Sequence, residues 1–133
     1  MILADTNALI WFLEDEAALG PAARRIIDTA LADNMLGVSA FSFWEIALLV
    51  ARRRLSTRSD PVEFRRRVLA GGANEIPVTG AIGIAAVTLP DLHGDPADRI
   101  IVATALAHDA TLLTADRQLL GWSGPLKRHD ARR

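Results

Sequence analysis

Four acidic residues next to apolar segments are the side chains of this sequence best suited to do chemistry. Asp5 follows the apolar run MILA, and Asp116 ends the run TLLTAD. Glu45 and Asp98 each stand near the start of a segment with helical periodicity. Carboxylates gathered in one place raise one another's pKa, and a divalent cation relieves that repulsion. Such oxygen ligands suit Mg²⁺ or Mn²⁺, ions that promote the in-line hydrolysis of phosphodiesters.

Other catalytic chemistries have little support in the sequence. The chain has no cysteine, which excludes disulfides, zinc–thiolate sites and cysteine nucleophiles. It has neither a Ser-His-Asp pattern nor a glycine loop of the P-loop kind. A receiver-like phosphorylation site is disfavoured because the only lysine is Lys127, close to the last residue. A dehalogenase-like phosphatase is disfavoured because Asn7 stands where that motif has its second Asp.

The bulk composition predicts one domain with a well-buried core. The chain has 133 residues, half of them apolar, and a formal net charge of −1. No apolar run reaches the roughly 18 residues that span a bilayer, and no signal peptide is visible, so we expect a cytoplasmic protein. Fourteen of its fifteen basic residues are arginines, several of them clustered. These clusters are either solvated helix faces or phosphate contacts, and the sequence leaves both open.

Short apolar runs alternate with helical patterns along the chain, as in a parallel sheet covered on both faces. We predict strands at about 1–4, 35–40, 75–78 and 111–116, with an edge strand at 125–127. We predict helices at about 8–13, 21–33, 43–53, 61–70, 80–87, 96–108 and 117–120. A tail from about residue 128 is expected to be mobile. Because strand ends and helix starts meet at one rim of such a sheet, the four acids are expected to converge there.

Three of the four acids also have a purely structural explanation, whereas a carboxylate directly after a buried strand, as at Asp5, is costly unless it is paired or near helix donors. Ser42 and Glu45 fit a capping box at the start of a helix. Asp95 fits an N-cap followed by proline, which places Asp98 in the first turn, where a negative charge is favourable. Asp116 fits a turn residue. A capping acid can also bind a cation, so these explanations do not exclude a functional site.

Several neighbours of the acids have two open interpretations. His93 either contacts substrate or stabilises its loop, and Arg99 either contacts phosphate or pairs with Asp95. Asp95 either assists in the site or only caps its helix. Four small polar residues either orient carboxylates and waters or cap helices: Thr6, Asn7, Ser39 and Thr114.

Three segments around the acids resemble those of PIN domains. ILADTNALIWFL resembles the first strand and helix of that family, and VSAFSFWEIALLV resembles its second strand and Glu-bearing helix. HGDPADRIIVATALAHDATLLTADRQL resembles its closing half. The likeness covers nearly the whole chain, in the right order and spacing. Within the family it is nearest to VapC-type toxins of bacterial toxin–antitoxin pairs.

The resemblance implies a fold, a site and partners. The fold is an α/β, PIN-like, doubly wound α/β/α sandwich with a short-stranded, mainly parallel sheet. The activity is that of an endoribonuclease that uses Mg²⁺ or Mn²⁺. A water activated by the metal attacks phosphorus, and the products carry 5′-phosphate and 3′-hydroxyl ends. The residues that match the family's acidic positions, as catalytic groups and metal ligands, are Asp5, Glu45, Asp98 and Asp116.

The implied partners are an RNA substrate, a second copy of the chain in a homodimer, and a cognate VapB-type antitoxin that covers the site. Binding to DNA is not expected without the antitoxin. A non-catalytic PIN-fold binding module or antitoxin sink is the alternative. The presence of all four acids argues against that alternative, because a module that only binds does not need them.

Overall fold

The computed structural model describes all 133 residues as an alternation of strands and helices. The strands are β1 (Ile2–Ala4), β2 (Leu36–Ser39), β3 (Asn74–Ile76), β4 (Thr111–Thr114) and β5 (Arg128–Asp130). The helices are α1 (Thr6–Leu13), α2 (Pro21–Ala32), α3 (Ala40–Ala51), α4 (Pro61–Ala70), α5 (Gly80–Val87), α6 (Pro96–Ala107) and α7 (Arg117–Leu120). None of these helices combines the length and apolarity that crossing a membrane requires.

The five strands form one parallel sheet in the order β3-β2-β1-β4-β5. The chain therefore builds outward from β1 to β3, then returns to the other side of β1 to add β4 and β5. This confirms the predicted doubly wound α/β sandwich. The direction in which strands are added to the sheet reverses between β1 and β4. Ligands of such sheets bind at that point, beyond the carboxyl ends of the strands.

The sheet has a hydrophobic core on each face, which explains why its strands are apolar without alternation. Successive strand side chains point to opposite faces. In β1, Ala4 packs in the cluster that contains Phe64, while Leu3 packs in the cluster that contains Trp122. In β4, Leu113 packs in the cluster with Phe64 and Leu112 packs in the cluster with Trp122. Each large side chain that is fully buried contributes roughly 1.5–3 kcal/mol, so the sheet is a rigid base for its rim.

Two predicted helix starts are wrong because strand and helix follow one another without a loop. The N-cap of α1 is Asp5, whose Oδ1 accepts from the Ala8 backbone N–H at 2.8 Å, rather than Thr6 or Asn7. The N-cap of α3 is Ser39, the last residue of β2, rather than Ser42. Glu45 therefore lies in the second turn of α3 and takes no part in a capping box.

The predicted edge strand and mobile tail also differ from the structure. The strand is Arg128–Asp130 rather than 125–127, and it pairs with β4. Beyond it, the Ala131 carbonyl accepts from the Gly20 N–H at 2.8 Å, and the Arg133 carbonyl accepts from Ala22 N–H at 2.9 Å. The tail is thus hydrogen-bonded across the start of α2, where free helix N–H groups need acceptors.

Gly20 should be intolerant of a side chain because the tail lies directly against it. A Cβ at Gly20 would come within 2.2 Å of the Arg133 backbone carbon, whereas a Cβ at Gly83 in α5 would meet nothing within 4 Å. We expect Gly20→Ala to lower the free energy of unfolding by about 1–3 kcal/mol through overpacking. The control Gly83→Ala should raise it by about 0.5–1 kcal/mol. Urea unfolding measures both, and wild-type stability in Gly20→Ala would contradict the close packing.

Candidate functional site

The structure brings the four predicted acids together at the carboxyl rim of the sheet. Asp5 directly follows β1, Asp116 follows β4 by two residues, and Glu45 and Asp98 project from α3 and α6. They share a cavity of about 260 Å³ whose lining is Asp5, Thr6, Asn7, Glu45, Leu49, Asp98, Ile101 and Asp116. A larger cavity of about 510 Å³ around Met35 has a mostly apolar lining and contains none of the four acids.

Asp5 is the most deeply buried of the four, with 8% of its surface exposed. Its backbone N–H extends the sheet by donating to the Leu113 carbonyl at 3.0 Å. The pKa of its carboxyl is raised to about 6, chiefly because the group is buried. Hydrogen bonds from Thr114 and Ala8 lower this pKa, and the charges of Glu45 and Asp116 raise it. The side chain is thus held in place at an electrostatic cost.

Among the four acids, Asp98 has the largest rise in pKa. It is the third residue of α6, whose N-cap is Asp95 and whose first residue is Pro96, as the sequence predicted. The pKa of Asp98 is raised to about 7, first by burial and then by repulsion from Asp95, Asp116, Glu45 and Asp5. The capping interpretation therefore explains how the chain turns into α6, while the carboxyl of Asp98 remains available to the cavity.

Glu45 is oriented by a residue of the neighbouring helix. The Thr6 hydroxyl donates to its Oε1 and also lies 2.9 Å from the Ser42 hydroxyl oxygen. Burial raises the pKa of Glu45, the hydrogen bond from Thr6 lowers it, and the charge of Asp95 raises it again. No protein group donates to Oε2, which leaves that oxygen for a ligand or a proton.

Asp116 is fixed by the backbone of α7 and by Thr114. Its Oδ1 accepts from the Gln118 and Leu119 N–H groups at 2.8 and 3.1 Å, and its own N–H donates to the Thr114 hydroxyl oxygen at 3.0 Å. Because Thr114 also hydrogen-bonds to Asp5, it links the acids that follow β1 and β4. The sequence identified Thr114 as polar but not as this link, since it depends on the pairing of two distant strands.

The arrangement has an excess of negative charge that a divalent cation fits. No salt bridge joins any of the four acids to an arginine or lysine. Ligand atoms of His93, Asp98 and Asp116 all lie within 4.8 Å of one another. Carboxylate oxygens in this number are the ligands that Mg²⁺ and Mn²⁺ prefer, whereas a structural zinc site would use Cys or His.

Comparison with known proteins places the chain in a family. The model of the PIN domain matches residues 2–121. The chain belongs to the PIN-domain family. One relative of this PIN domain is Ribonuclease VapC22 of Mycobacterium tuberculosis (strain ATCC 25618 / H37Rv). The two sequences are 34% identical over 119 residues, which cover 89% of this chain and 88% of the relative. The resemblance to VapC-type toxins is thereby confirmed.

Solved structures with low sequence identity share the fold of this PIN domain. VapBC2 from Rickettsia felis, bound to a promoter DNA fragment, superposes with a TM-score of 0.69 at 17% identity over 97% of this chain and 98% of the other. A toxin–antitoxin complex from Klebsiella pneumoniae superposes with a TM-score of 0.65 at 21% identity over 98% of both chains.

Arg99 has a structural role that the sequence did not reveal. Its guanidinium donates to the backbone carbonyls of Ala86, Leu92 and His93 at 2.9, 2.6 and 2.9 Å. The guanidinium forms no salt bridge with the Asp95 carboxylate, so the alternative in which Arg99 pairs with Asp95 is wrong. The donors that a phosphate contact needs are occupied by backbone oxygens. Arg99 thus fastens the end of α5 and the loop after it to α6 of this PIN domain.

Removing the Arg99 guanidinium should destabilise the protein. In Arg99→Met several partly buried carbonyls lose their donor, and we expect the free energy of unfolding to fall by about 2–3 kcal/mol. The matched control is Arg52→Met, because Arg52 is exposed at the end of α3, and we expect a change below about 0.5 kcal/mol. Urea unfolding measures both. Equal, small effects of the two substitutions would contradict the fastening role.

The raised pKa values predict that the metal-free protein loses stability as pH rises. The folded chain holds protons on Asp5 and Asp98 that the unfolded chain releases near pH 4, so stability falls between about pH 4 and pH 7. A rise from 3.8 to about 7 corresponds to at most roughly 4 kcal/mol for Asp98, and solvent screening reduces this.

Asp98→Asn should therefore stabilise the metal-free protein. We expect a gain of about 1–3 kcal/mol at pH 8 and almost none at pH 4, because only the charged carboxyl is unfavourable there. Unfolding in EDTA at both pH values measures this. Asp28→Asn is the control, since Asp28 is exposed on α2. A loss of stability at pH 8 would contradict the repulsion described here.

Proposed function

We propose that this chain is the toxin of a VapBC-type toxin–antitoxin pair and acts as a metal-dependent endoribonuclease. The observation that carries the proposal is the convergence of four carboxylates, without an arginine or lysine partner, on one cavity at the reversal point of the sheet. The name of the ribonuclease that is 34% identical to this chain supports RNA as the substrate. Toxin–antitoxin complexes of the same fold support an antitoxin partner.

In this proposal Asp5 and Asp98 are the principal ligands of Mg²⁺ or Mn²⁺. Their raised pKa values support this, because a cation at the same place would relieve the cost of ionising them. Asp116 completes the ligand set, with one oxygen held by the start of α7. When bound, the ion supplies positive charge to the phosphoryl group and lowers the pKa of a water.

Glu45 is the residue best placed to take the proton of the attacking water. Thr6 holds Oε1 and leaves Oε2 free, and burial raises the pKa of the carboxyl towards values that suit a general base. As the water oxygen bonds to phosphorus, the opposite bond from phosphorus to the 3′-oxygen breaks, and the 3′-oxygen takes a proton from solvent, which gives 5′-phosphate and 3′-hydroxyl ends. Glu45 also contributes to cation binding, directly or through water.

The surface around the site supports contacts with RNA and protein. Arg52, Arg53 and Arg54 are exposed at the end of α3, roughly 10 Å along the same helix from Glu45, where they can contact phosphates. Trp44 and Ile84 are 55% and 72% exposed, which supports a protein partner such as a second copy or the antitoxin. Residues 1–133 act as a single domain in this proposal, in the cytoplasm, where the RNA substrate is found.

The test is cleavage of a panel of structured RNAs by purified, antitoxin-free protein with Mg²⁺, with Mn²⁺ and with EDTA. Asp5→Asn is the informative variant, because an Asn oxygen can still accept from the Ala8 N–H and cap α1. We expect cleavage only with metal, and a loss of more than about 100-fold in Asp5→Asn. The exposed acid variant Asp28→Asn is the control and should cleave like the wild type.

Three results distinguish the alternatives. Metal-dependent cleavage that disappears in Asp5→Asn supports the nuclease. Folded wild type that binds metal and a cognate antitoxin but cleaves no RNA of the panel supports the non-catalytic binding module. EDTA-resistant cleavage that survives in Asp5→Asn contradicts the assignment of the site.

A further inference from the structure

His93 contacts the acidic site through Asp98, although it is not one of the four acids and does not line their cavity. It lies in the loop between α5 and α6, and the Arg99 guanidinium fixes its backbone by donating to the His93 carbonyl at 2.9 Å. The imidazole Nε2 is buried and lies 3.2 Å from Asp98 Oδ2. The N–H is not aligned with that oxygen, so the nitrogen has no hydrogen-bond partner. A buried ring nitrogen that lies beside a carboxylate without a hydrogen bond requires an explanation.

Asp98 differs from the other three acids in what holds it. The carboxylates of Asp5 and Asp116 accept from backbone N–H groups of α1 and α7, and Glu45 accepts from a threonine hydroxyl. For Asp98, the only donor beside its carboxylate is the imidazole of His93. His93 is therefore the one donor side chain that the structure places against the Asp98 carboxylate.

The second ring nitrogen decides between two roles for His93. Nδ1 accepts from the Asp95 backbone N–H at 3.3 Å, so its lone pair is occupied. In the neutral ring the proton is then on Nε2, the atom that faces Asp98. A histidine that binds a metal through Nε2 has the opposite arrangement, with Nδ1–H donating to an acceptor. His93 is thus arranged as a donor to Asp98 rather than as a ligand.

We infer that His93 is a positioning residue: its Nε2–H, 3.2 Å from Oδ2 of Asp98 but not aligned with it, turns to hold that oxygen when a cation binds, which leaves Oδ1 to the cation. This inference rests on the proposed function, since it assigns a role within the same metal site. A donor to the non-binding oxygen fixes the carboxylate rotamer and favours its ionised form. Loss of such a donor typically weakens metal binding by about 10–100-fold.

The test measures metal affinity rather than activity. Mn²⁺ binding to the full chain is followed by electron paramagnetic resonance, and Mg²⁺ binding by competition against Mn²⁺. We expect His93→Ala to weaken the binding of both ions in the same proportion, by about 10–100-fold. His93→Gln, which keeps a neutral N–H donor, should recover most of the affinity. His108→Ala is the control, because His108 is exposed at the end of α6.

Electron spin-echo spectroscopy of bound Mn²⁺ separates a positioning residue from a ligand. We expect no coupling to a ¹⁴N nucleus in the wild type. Nitrogen coupling that disappears in His93→Ala, or a loss of Mn²⁺ affinity much larger than that for Mg²⁺, would show that His93 is a ligand and overturn the inference. So would unchanged affinity in His93→Ala, or a His93→Gln variant as weak as His93→Ala.

Thermal unfolding in EDTA shows whether each variant is folded, so that weak binding is not mistaken for unfolding. Failure of the wild type to bind either ion would remove the proposed metal site, and the inference with it. A wild type that binds metal but cleaves no RNA would leave the His93 measurements fully interpretable, because they do not depend on cleavage.

Discussion

Repulsion among four carboxylates at one rim is the constraint on which the rest of this structure depends. The fold offsets this repulsion with the backbone N–H groups and the dipoles at the starts of three helices. Asp5 and Asp116 are the N-caps of α1 and α7, and Asp98 lies in the first turn of α6. N–H groups of α1 and α7 donate to Asp5 and Asp116, whereas α6 stabilises Asp98 only through the positive end of its dipole. The doubly wound topology brings these helix starts together because every strand of the sheet ends at the same rim.

These dipoles offset the repulsion only in part, and the remainder is visible in the raised pKa values of Asp5 and Asp98. The two-sided core is what allows the protein to carry this unfavourable charge, since apolar burial on both faces of the sheet outweighs it. Local instability at the rim is then a property of the metal-free protein alone. A cation is the partner that would convert the same charges from a destabilising to a stabilising feature.

The sequence predicted elements well where the signal was local and poorly where it came from pairing or loop geometry. Apolar runs located four strands, and proline at the first position located the starts of α2, α4 and α6. The polar strand β5 (Arg128–Asp130) was misplaced because only its pairing with β4 makes it a strand. The role of Arg99 required carbonyls from a loop whose path no pattern describes.

The convergence of the acids was predictable because it follows from topology, but their division of labour was not. The sequence pattern explained Asp98 by the first turn of a helix and Asp116 by a turn, and it left open that the same acids also bind a cation. In the structure one carboxylate serves both, since Asp116 Oδ1 accepts from α7 while the residue lines the cavity. Capping requires only an oxygen that accepts a hydrogen bond, whereas cation binding requires the negative charge of the carboxylate. Asparagine keeps the first property and lacks the second, so the two roles of such an acid can be separated by experiment although they reside in one side chain.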